Sequence, residues 1–331
     1  MKKLRLFPLQ NEMPSEIADA ASAFRNDVFE GLTRNPKAIP ARWLYDHRGS
    51  ALFEAITLLP EYYPTRTERS ILASALPAIC AIAGPGRALV EFGSGSSAKT
   101  RLLLADIEPS AYVPIDISGE FLRDTTVGLS RAFPTIPIYP TEADFTRAFA
   151  LPKQIAKSPR LGFFPGSTIG NLTVHAAVDL LRALAGTLGA GSMLLIGIDR
   201  IKGQEVLLPA YDDAQGLTAA FNLNLLHRIN RELGGSIPLG AFRHVARWND
   251  AEFRIEMHLE AIRDVRFDVG GRAFFLAKGE TIHTENSLKY GRSEAFILLQ
   301  AGGWKPVADW TDDAGLFSVV LAEQGPPQAA L

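Results

Sequence analysis

The chain has 331 residues, more than one ordinary hydrophobic core accommodates, which indicates two packed domains. Apolar residues make up 47% and charged residues 21%, a balance typical of a folded globular protein and not of a disordered or fibrous one. The 34 basic residues nearly balance the 36 acidic ones without a basic run, so we expect no nucleic-acid partner.

Several further classes are disfavoured by local composition. The short basic start is followed at once by polar residues, and no apolar run reaches the length of a membrane span. We therefore expect a cytoplasmic protein without a membrane partner. A monomer is the default expectation. Cys80 lies in an apolar stretch without a neighbouring cation, which indicates a core thiol. The six histidines show no i, i+4 pair and no cysteine companion, so we expect no metal.

In chain order, residues 1–62 are predicted to be mostly helical, with a turn at 46–50 and a break at 59–64. From residue 88 onward, strands alternate with helices, which is the pattern of a doubly wound, Rossmann-like α/β domain with a parallel sheet. The predicted strands are 88–92, 111–116, 136–139, 161–164 and 193–198.

The pattern changes after residue 200. Residues 208–233 form one long helical pattern, and 242–283 alternate as antiparallel hairpins do, which predicts a smaller α+β domain. A helix over 293–301 and a strand over 316–322 are expected to return to the first sheet. The predicted domains are therefore 63–200 with 286–331, and 1–62 with 201–285.

A glycine-rich turn follows the strand at 88–92 and opens a helix. Gly93 and Gly95 leave backbone bare there, as a nucleotide-like ligand requires in a doubly wound fold. Asp116 ends the next strand 21 residues after Gly95, a spacing at which a carboxylate accepts ribose hydroxyls. Ala98 stands where a dinucleotide fingerprint has its third glycine, so a tight turn that needs glycine remains an alternative.

Four more residues, at three places in the chain, also allow a ligand role or a structural role. Lys99 lies in the first turn of a helix, where the helix dipole disfavours a cation, so it indicates a ligand carboxylate or else a solvated side chain. Asp144 and Phe145 follow the third predicted strand, where they suit an adenine ring, although Asp144 also suits a helix N-cap. Asn171 follows the fourth strand and is placed either to bond substrate or to form a loop turn.

Five segments in order resemble the histidine Nα-methyltransferases of ergothioneine biosynthesis. They are 59–68 (LPEYYPTRTE), 91–101 (EFGSGSSAKTR), 166–172 (GSTIGNL), 211–213 (YDD) and 284–287 (TENS). The resemblance runs from about Trp43 to the C-terminal strand, which is nearly the whole chain. It implies an S-adenosylmethionine methyltransferase domain with a second, smaller substrate domain.

The resemblance also implies roles for individual residues. S-adenosylmethionine is the implied co-substrate, and L-histidine, methylated three times to trimethylhistidine, is the implied substrate. Implied cofactor contacts are Gly93, Lys99 (methionine carboxylate), Asp116 (ribose), Asp144 and Phe145; implied substrate contacts are Asn171 and Tyr211 (carboxylate), Tyr62, Glu285 and Ser287 (imidazole) and Met257 (ring packing).

The side chains themselves suit an imidazole. Tyr62 and Glu285 offer a donor and an acceptor to two ring nitrogens, a pattern that an indole or phenyl ring does not satisfy. Asn286 replaces an apolar residue of the family pattern and is expected to tune substrate choice, which leaves a tryptophan derivative or another aromatic amino acid as an alternative. A non-catalytic nucleotide-binding module is the other alternative. We expect Tyr45 to orient a water that accepts the amine proton.

Overall fold

The computed structural model describes residues 14–95, 99–117, 119–146 and 149–325. Ser96, Ser97 and Ala98 of the glycine motif, and the first part of the predicted helical N-terminus, lie outside these ranges. The α-helices of the described chain are α1 (Pro14–Thr33), α2 (His47–Thr57), α3 (Tyr63–Ala83), α4 (Thr100–Ile107), α5 (Gly119–Ala132), α6 (Val174–Leu188), α7 (Gln204–Tyr211), α8 (Leu217–Leu233) and α9 (Arg292–Ala301). Its strands are β1 (Lys37–Ala38), β2 (Ala88–Phe92), β3 (Ala111–Asp116), β4 (Thr141–Glu142), β5 (Arg160–Phe164), β6 (Met193–Asp199), β7 (Phe242–Asn249), β8 (Arg254–Ala261), β9 (Val265–Val269), β10 (Arg272–Leu276), β11 (Thr281–Leu288), β12 (Trp304–Thr311) and β13 (Phe317–Gln324).

A seven-stranded sheet has the order β12-β13-β6-β5-β2-β3-β4. The strands from β6 to β4 run parallel, whereas β13 pairs antiparallel with β6 and β12 pairs antiparallel with β13. Because β2 is flanked by β3 on one side and β5 on the other, the chain reverses its direction of travel across the sheet at β2. This is the switch point of a doubly wound, Rossmann-like fold, and the predicted fold class is confirmed.

Burial of the sheet on both faces explains its apolar strands. Every residue of β2 is buried, and its side chains alternate between two cores. Val90 packs in the core that contains Leu181 of α6, whereas Leu89 packs in the core that contains Leu72 of α3 and Leu103 of α4.

The predicted strand at 136–139 is wrong. The pairing strand is β4, and Ile138 makes only a single bridge with Tyr112. Pro137 and Pro140 flank Tyr139 and lack the N–H that a strand ladder needs, so the prolines move the regular pairing downstream.

Two helix boundaries also differ from the prediction. The long helix predicted over 208–233 is interrupted between α7 and α8, where the carboxylate of Asp213 accepts the backbone N–H of Leu217 (3.0 Å) and of Thr218 (2.7 Å). An aspartate satisfies the free donors of a new helix start in this way, and that contact overrides the continuous periodicity. The predicted turn at 46–50 is likewise a helix start, because Asp46 caps α2 by accepting from Gly49 N at 2.8 Å.

The chain divides into two compact units. One contains Pro64–Ile201 and the described residues from Leu288 onward; the other contains Lys202–Ser287 and the described residues up to Tyr63. In the second unit, a four-stranded sheet has the order β1-β11-β8-β7 and β9 pairs with β10, so the predicted hairpins are confirmed. The predicted return of the C-terminal strand to the first sheet is also confirmed by β13, whereas β12 was not predicted. None of the described helices is long and apolar enough to cross a bilayer.

Candidate functional site

The glycine turn after β2 is tied to the end of β3. Gly93 (φ +74°) and Gly95 (φ +47°) both adopt left-handed backbone, which favours glycine. Gly93 N donates to Ile115 O at 2.8 Å, and Gly95 N donates to Oδ2 of Asp116 at 3.0 Å. Two neighbouring parallel strands therefore place bare backbone and a half-buried carboxylate at one edge of the sheet.

Phe145 lies on this edge as well. A Cβ built on Gly93 would lie 3.7 Å from the Phe145 ring, so a side chain at Gly93 would contact that ring. Phe145 packs edge-on against Phe92 (centroids 6.2 Å apart) and Phe164 (5.6 Å) at the ends of β2 and β5. The structure thus brings Gly93, Asp116 and Phe145 together, as expected of a nucleoside-binding edge.

Asp144 binds its own loop. Its Oδ1 accepts from Thr146 N at 3.0 Å and from Thr146 Oγ1 at 2.5 Å, which is an Asx turn. The alternative of an α-helix N-cap is wrong for the described residues, because Thr146 does not begin a helix. A role for Asp144 in adenine recognition stays a prediction.

Lys99 lies beside a protein carboxylate that sequence reasoning missed. Lys99 Nζ is 2.5 Å from Oε2 of Glu68, whose side chain is fully buried in α3. Both Glu68 oxygens also accept from Gly166 N, at 3.0 and 3.1 Å. Glu68 therefore accounts for a cation at the start of α4 without a ligand, and contact between Lys99 and the methionine carboxylate stays a prediction.

A second carboxylate lies beneath the glycine turn. Glu91 of β2 is buried and accepts hydroxyl hydrogen bonds from Thr100 and Tyr112, each 2.5 Å long. Burial raises the pKa of Glu91 to about 7, although the two hydroxyls and Lys99 act against that rise. Glu91 and Glu68 are thus two buried carboxyl groups, and the charge of Glu68 contributes to the raised pKa of Glu91.

The loop after β5 carries Asn171 at the end of a 3₁₀ turn, Thr168–Asn171, where the residue is half-buried. Ser167 anchors this loop, because its Oγ accepts from Asp199 N at 2.9 Å. A Cβ on Gly170 would lie 2.7 Å from Leu288 O, so only glycine fits there. Asn171 is thus held at the carboxyl end of a parallel strand, and its substrate role stays a prediction.

In the second unit, tyrosines and strand β11 build a buried polar cluster. Tyr211 and Ser287 share a hydroxyl hydrogen bond of 2.6 Å, and Tyr45 OH donates to Oε1 of Glu285 at 3.3 Å. The rings of Tyr62 and Tyr211 meet edge to face with centroids 6.4 Å apart. All five residues were predicted as site residues, and the fold brings them together.

Two phenylalanines complete that cluster and were missed. Phe53 of α2 contacts Tyr45 and Tyr62, with centroids 5.6 and 6.0 Å apart, and Phe221 of α8 contacts Tyr45 at 5.3 Å. Burial raises the pKa of Tyr45 well above its ordinary value, and the negative charge of Glu285 raises it further. Tyr45 is therefore a hydroxyl donor at neutral pH.

Met257 and Asn286 contact residues outside the cluster of tyrosines. Met257 of β8 is buried, and its carbonyl accepts from Thr284 Oγ1 at 3.0 Å. Asn286 interacts with His283 through its side chain. Packing of Met257 against a substrate ring and tuning of substrate choice by Asn286 remain predictions.

A doubly wound sheet with a glycine turn after β2 and a carboxylate ending β3 defines a class: α/β proteins that bind a nucleoside cofactor at the carboxyl ends of their strands. Residues 24–324 match the family model of the S-adenosylmethionine-dependent, histidine-specific methyltransferases, so the chain belongs to that family. S-adenosylmethionine is accordingly the co-substrate of its class.

Curated relatives agree with this assignment. The chain is 43% identical over 309 residues to a histidine N-alpha-methyltransferase of Mycolicibacterium smegmatis, covering 92% of this chain and 95% of the relative. It is 42% identical over 310 residues to the enzyme of that description from Mycobacterium tuberculosis, covering 91% and 94%. It is 29% identical to ergothioneine biosynthesis protein 1 of Neurospora crassa, over 83% of this chain and 32% of that larger protein.

Proposed function

We propose that this chain transfers methyl groups from S-adenosylmethionine to the α-amino nitrogen of L-histidine, three in succession, and that the trimethylhistidine formed serves ergothioneine biosynthesis. The observation that carries the proposal is the pairing of Tyr45 with Glu285 and of Tyr211 with Ser287, in a chain of the histidine-specific family. A buried carboxylate among tyrosine hydroxyls suits a small ligand with both donors and acceptors.

The first unit fits the cofactor. Gly93 exposes backbone in a left-handed conformation, Asp116 offers a half-buried carboxylate, and Phe145 supplies an aromatic surface beside them. These groups suit a nucleoside through backbone approach, ribose hydroxyls and base packing, respectively. When bound, S-adenosylmethionine supplies an electrophilic methyl group on a sulfonium.

Selectivity for histidine follows from Glu285. Only 8% of this residue is exposed, so its carboxylate has little access to water and gains most from a partner that donates a hydrogen bond. An imidazole N–H is such a donor, and the bond is charge-assisted. A phenyl ring offers no N–H to this carboxylate, so the charge-assisted bond would not form.

The chemistry makes simple demands on these residues. Transfer forms a bond between nitrogen and the methyl carbon and breaks the carbon–sulfur bond. It also needs the loss of a proton from an amine whose pKa is about 8 or above. Since the pKa of Tyr45 is raised, its hydroxyl orients a water or the amine and does not itself take the proton. Each methylation removes an N–H donor, so we infer that the amine is positioned by the shape of the surrounding rings.

Binding of L-histidine to the protein loaded with S-adenosylhomocysteine tests the proposal by calorimetry. We expect Glu285→Gln to weaken binding by about tenfold or more, because a charge-assisted hydrogen bond is lost. Glu260→Gln is the matched control, since that carboxylate lies on β8 and pairs with Arg243 and Arg247. Equal affinities of wild type and Glu285→Gln would overturn the assignment of Glu285 to the imidazole.

A further inference from the structure

Three side chains with metal-binding chemistry meet on the sheet of the second unit. Glu256 and His258 are two residues apart on β8, a spacing that places both on one face of a strand. His283 lies on β11, the strand next to β8 in the sheet. The strand period therefore assembles a Glu/His/His set that a search for helical i, i+4 spacing does not detect.

Their geometry is compact. One potential ligand atom from each residue lies within 4.8 Å of the others. Nε2 of His258 is 3.1 Å from Oε2 of Glu256, and the imidazoles of His258 and His283 stack with centroids 4.9 Å apart. Zinc bonds of about 2.0–2.2 Å bring tetrahedral ligand atoms to about 3.4 Å from one another, so small side-chain rotations would close the set around one ion.

The other hydrogen bonds of Glu256 do not involve the oxygen that faces His258. Arg254 and Asn249 both bind Oε1 of Glu256, at 2.7 and 2.9 Å, whereas Oε2 faces His258. The positive charge of Arg247, which neighbours His258, is compensated by Glu260 at 3.1 Å. One carboxylate oxygen is thus directed at the histidines and not at a guanidinium.

His258 is a buried side chain of this set. Only 8% of the residue is exposed, and its Nδ1 is buried without a hydrogen bond to any described residue. The nitrogen that faces Oε2 of Glu256 is Nε2, so Nε2 is the atom of His258 that would bind the ion.

We propose that Glu256, His258 and His283 form a binding site for a divalent transition metal, with Zn²⁺ as the best match to two imidazoles and one carboxylate. Three protein ligands leave a fourth position for water. The ion would link β8 to β11, the strand that carries Glu285 and Ser287. This proposal replaces the expectation of no metal, which rested on the absence of a histidine pair at helical spacing and of a cysteine companion.

Zinc titration of the full, tag-free chain tests the proposal, with a chromophoric zinc chelator as competitor. Cofactor and free histidine are omitted, because the amino acid itself chelates zinc and because the result then does not depend on methyltransferase activity. We expect one Zn²⁺ per chain in wild type, and at least about tenfold weaker binding in His258→Gln and His283→Gln. Wild type that binds no zinc at equimolar protein would overturn the proposal and leave the set as a hydrogen-bonded charge cluster.

The control is His175→Gln. His175 lies on the exposed surface of α6 with Nε2 3.5 Å from Asp179, so it tests for binding by an ordinary surface pair. We expect wild-type affinity in this variant. X-ray absorption of zinc-loaded wild type gives a readout that does not depend on the variants folding, with two imidazoles expected at about 2.0–2.1 Å. Fewer than two imidazoles, or unchanged affinity in both His258→Gln and His283→Gln, would contradict the site.

Discussion

Lys99 Nζ lies 2.5 Å from Oε2 of Glu68, and the two oxygens of that carboxylate share the N–H of Gly166 at 3.0 and 3.1 Å. A single buried acid thus links α3, the start of α4 and the loop after β5. Charge pairs of this kind are costly to break, because the remaining partner loses its compensation away from water.

Replacing the acid should reveal that coupling. We predict that Glu68→Gln lowers the free energy of unfolding by about 3 kcal/mol, because Lys99 is then left without its anionic partner. Urea unfolding measures the loss. The double variant Glu68→Gln, Lys99→Met should lose less than the sum of the two single losses. Strict additivity would show that the two side chains do not stabilise one another.

Asp116→Asn tests the cofactor edge. The amide oxygen still accepts from Gly95 N, so the turn is retained, but the negative charge offered to a ribose is lost. We predict about tenfold weaker binding of S-adenosylhomocysteine by calorimetry, with little change in thermal stability. Asp179→Asn on the exposed face of α6 is the control and should bind as wild type does. Wild-type affinity in Asp116→Asn would remove that residue from the site.

Glu91 gives the stability a pH dependence of known sign. Its pKa is raised from 4.5 to about 7 in the folded chain, so the folded state holds a proton that the unfolded state releases between these values. The stabilisation is complete below about pH 4.5 and is lost as the pH rises through about 7. We predict that urea unfolding of Glu91→Gln depends less on pH between 5 and 8 (roughly the range in which the two states differ) than that of wild type. Parallel pH profiles would exclude Glu91 as the titrating group.

Tyr45→Phe separates hydrogen bonding from proton transfer. The hydroxyl that donates to Glu285 is lost, but the ring contacts with Phe53 and Phe221 remain. We predict about a tenfold lower kcat and an unchanged position of the pH–rate profile, because the raised pKa of Tyr45 keeps it protonated throughout. A shifted alkaline or acidic limb would show that Tyr45 titrates during turnover.

Local patterns predict the parts of this fold that local forces determine. The strand at 88–92 is predicted with its observed bounds because a continuous apolar run buried on both faces has little alternative. The strand predicted at 136–139 does not form because Pro137 and Pro140 lack the N–H that a strand ladder needs, and an apolar pattern does not show this. The carboxylate of Asp213 accepts from the first two N–H groups of α8 and so favours a new helix start at Leu217. A periodicity averaged over many residues does not detect such a local contact.

The site is harder to predict from sequence than the strands are, because its residues meet through long-range contacts. Tyr45 and Glu285 are 240 positions apart, and Glu68 precedes Lys99 by 31. A local sequence pattern therefore cannot predict either pairing. The resemblance to a family identifies Tyr62, Tyr211, Glu285 and Ser287, whereas Tyr45 is predicted only from the need for a proton route. The proximity of the five residues follows from the fold. For the Glu256, His258 and His283 set, the sequence shows that Glu256 and His258 are two residues apart. That spacing places them on one face only in a strand, and the structure shows that the segment is a strand.

Mass spectrometry of the products tests the central claim most directly. The purified chain is incubated with S-adenosylmethionine and, separately, with L-histidine, L-tryptophan or L-phenylalanine. We predict successive gains of one, two and three methyl groups on histidine alone, with all of them on the α-amino nitrogen. Methylation of tryptophan without histidine would retain the fold and cofactor but contradict the role of Glu285, and the absence of any product alongside tight S-adenosylmethionine binding would contradict the proposed activity.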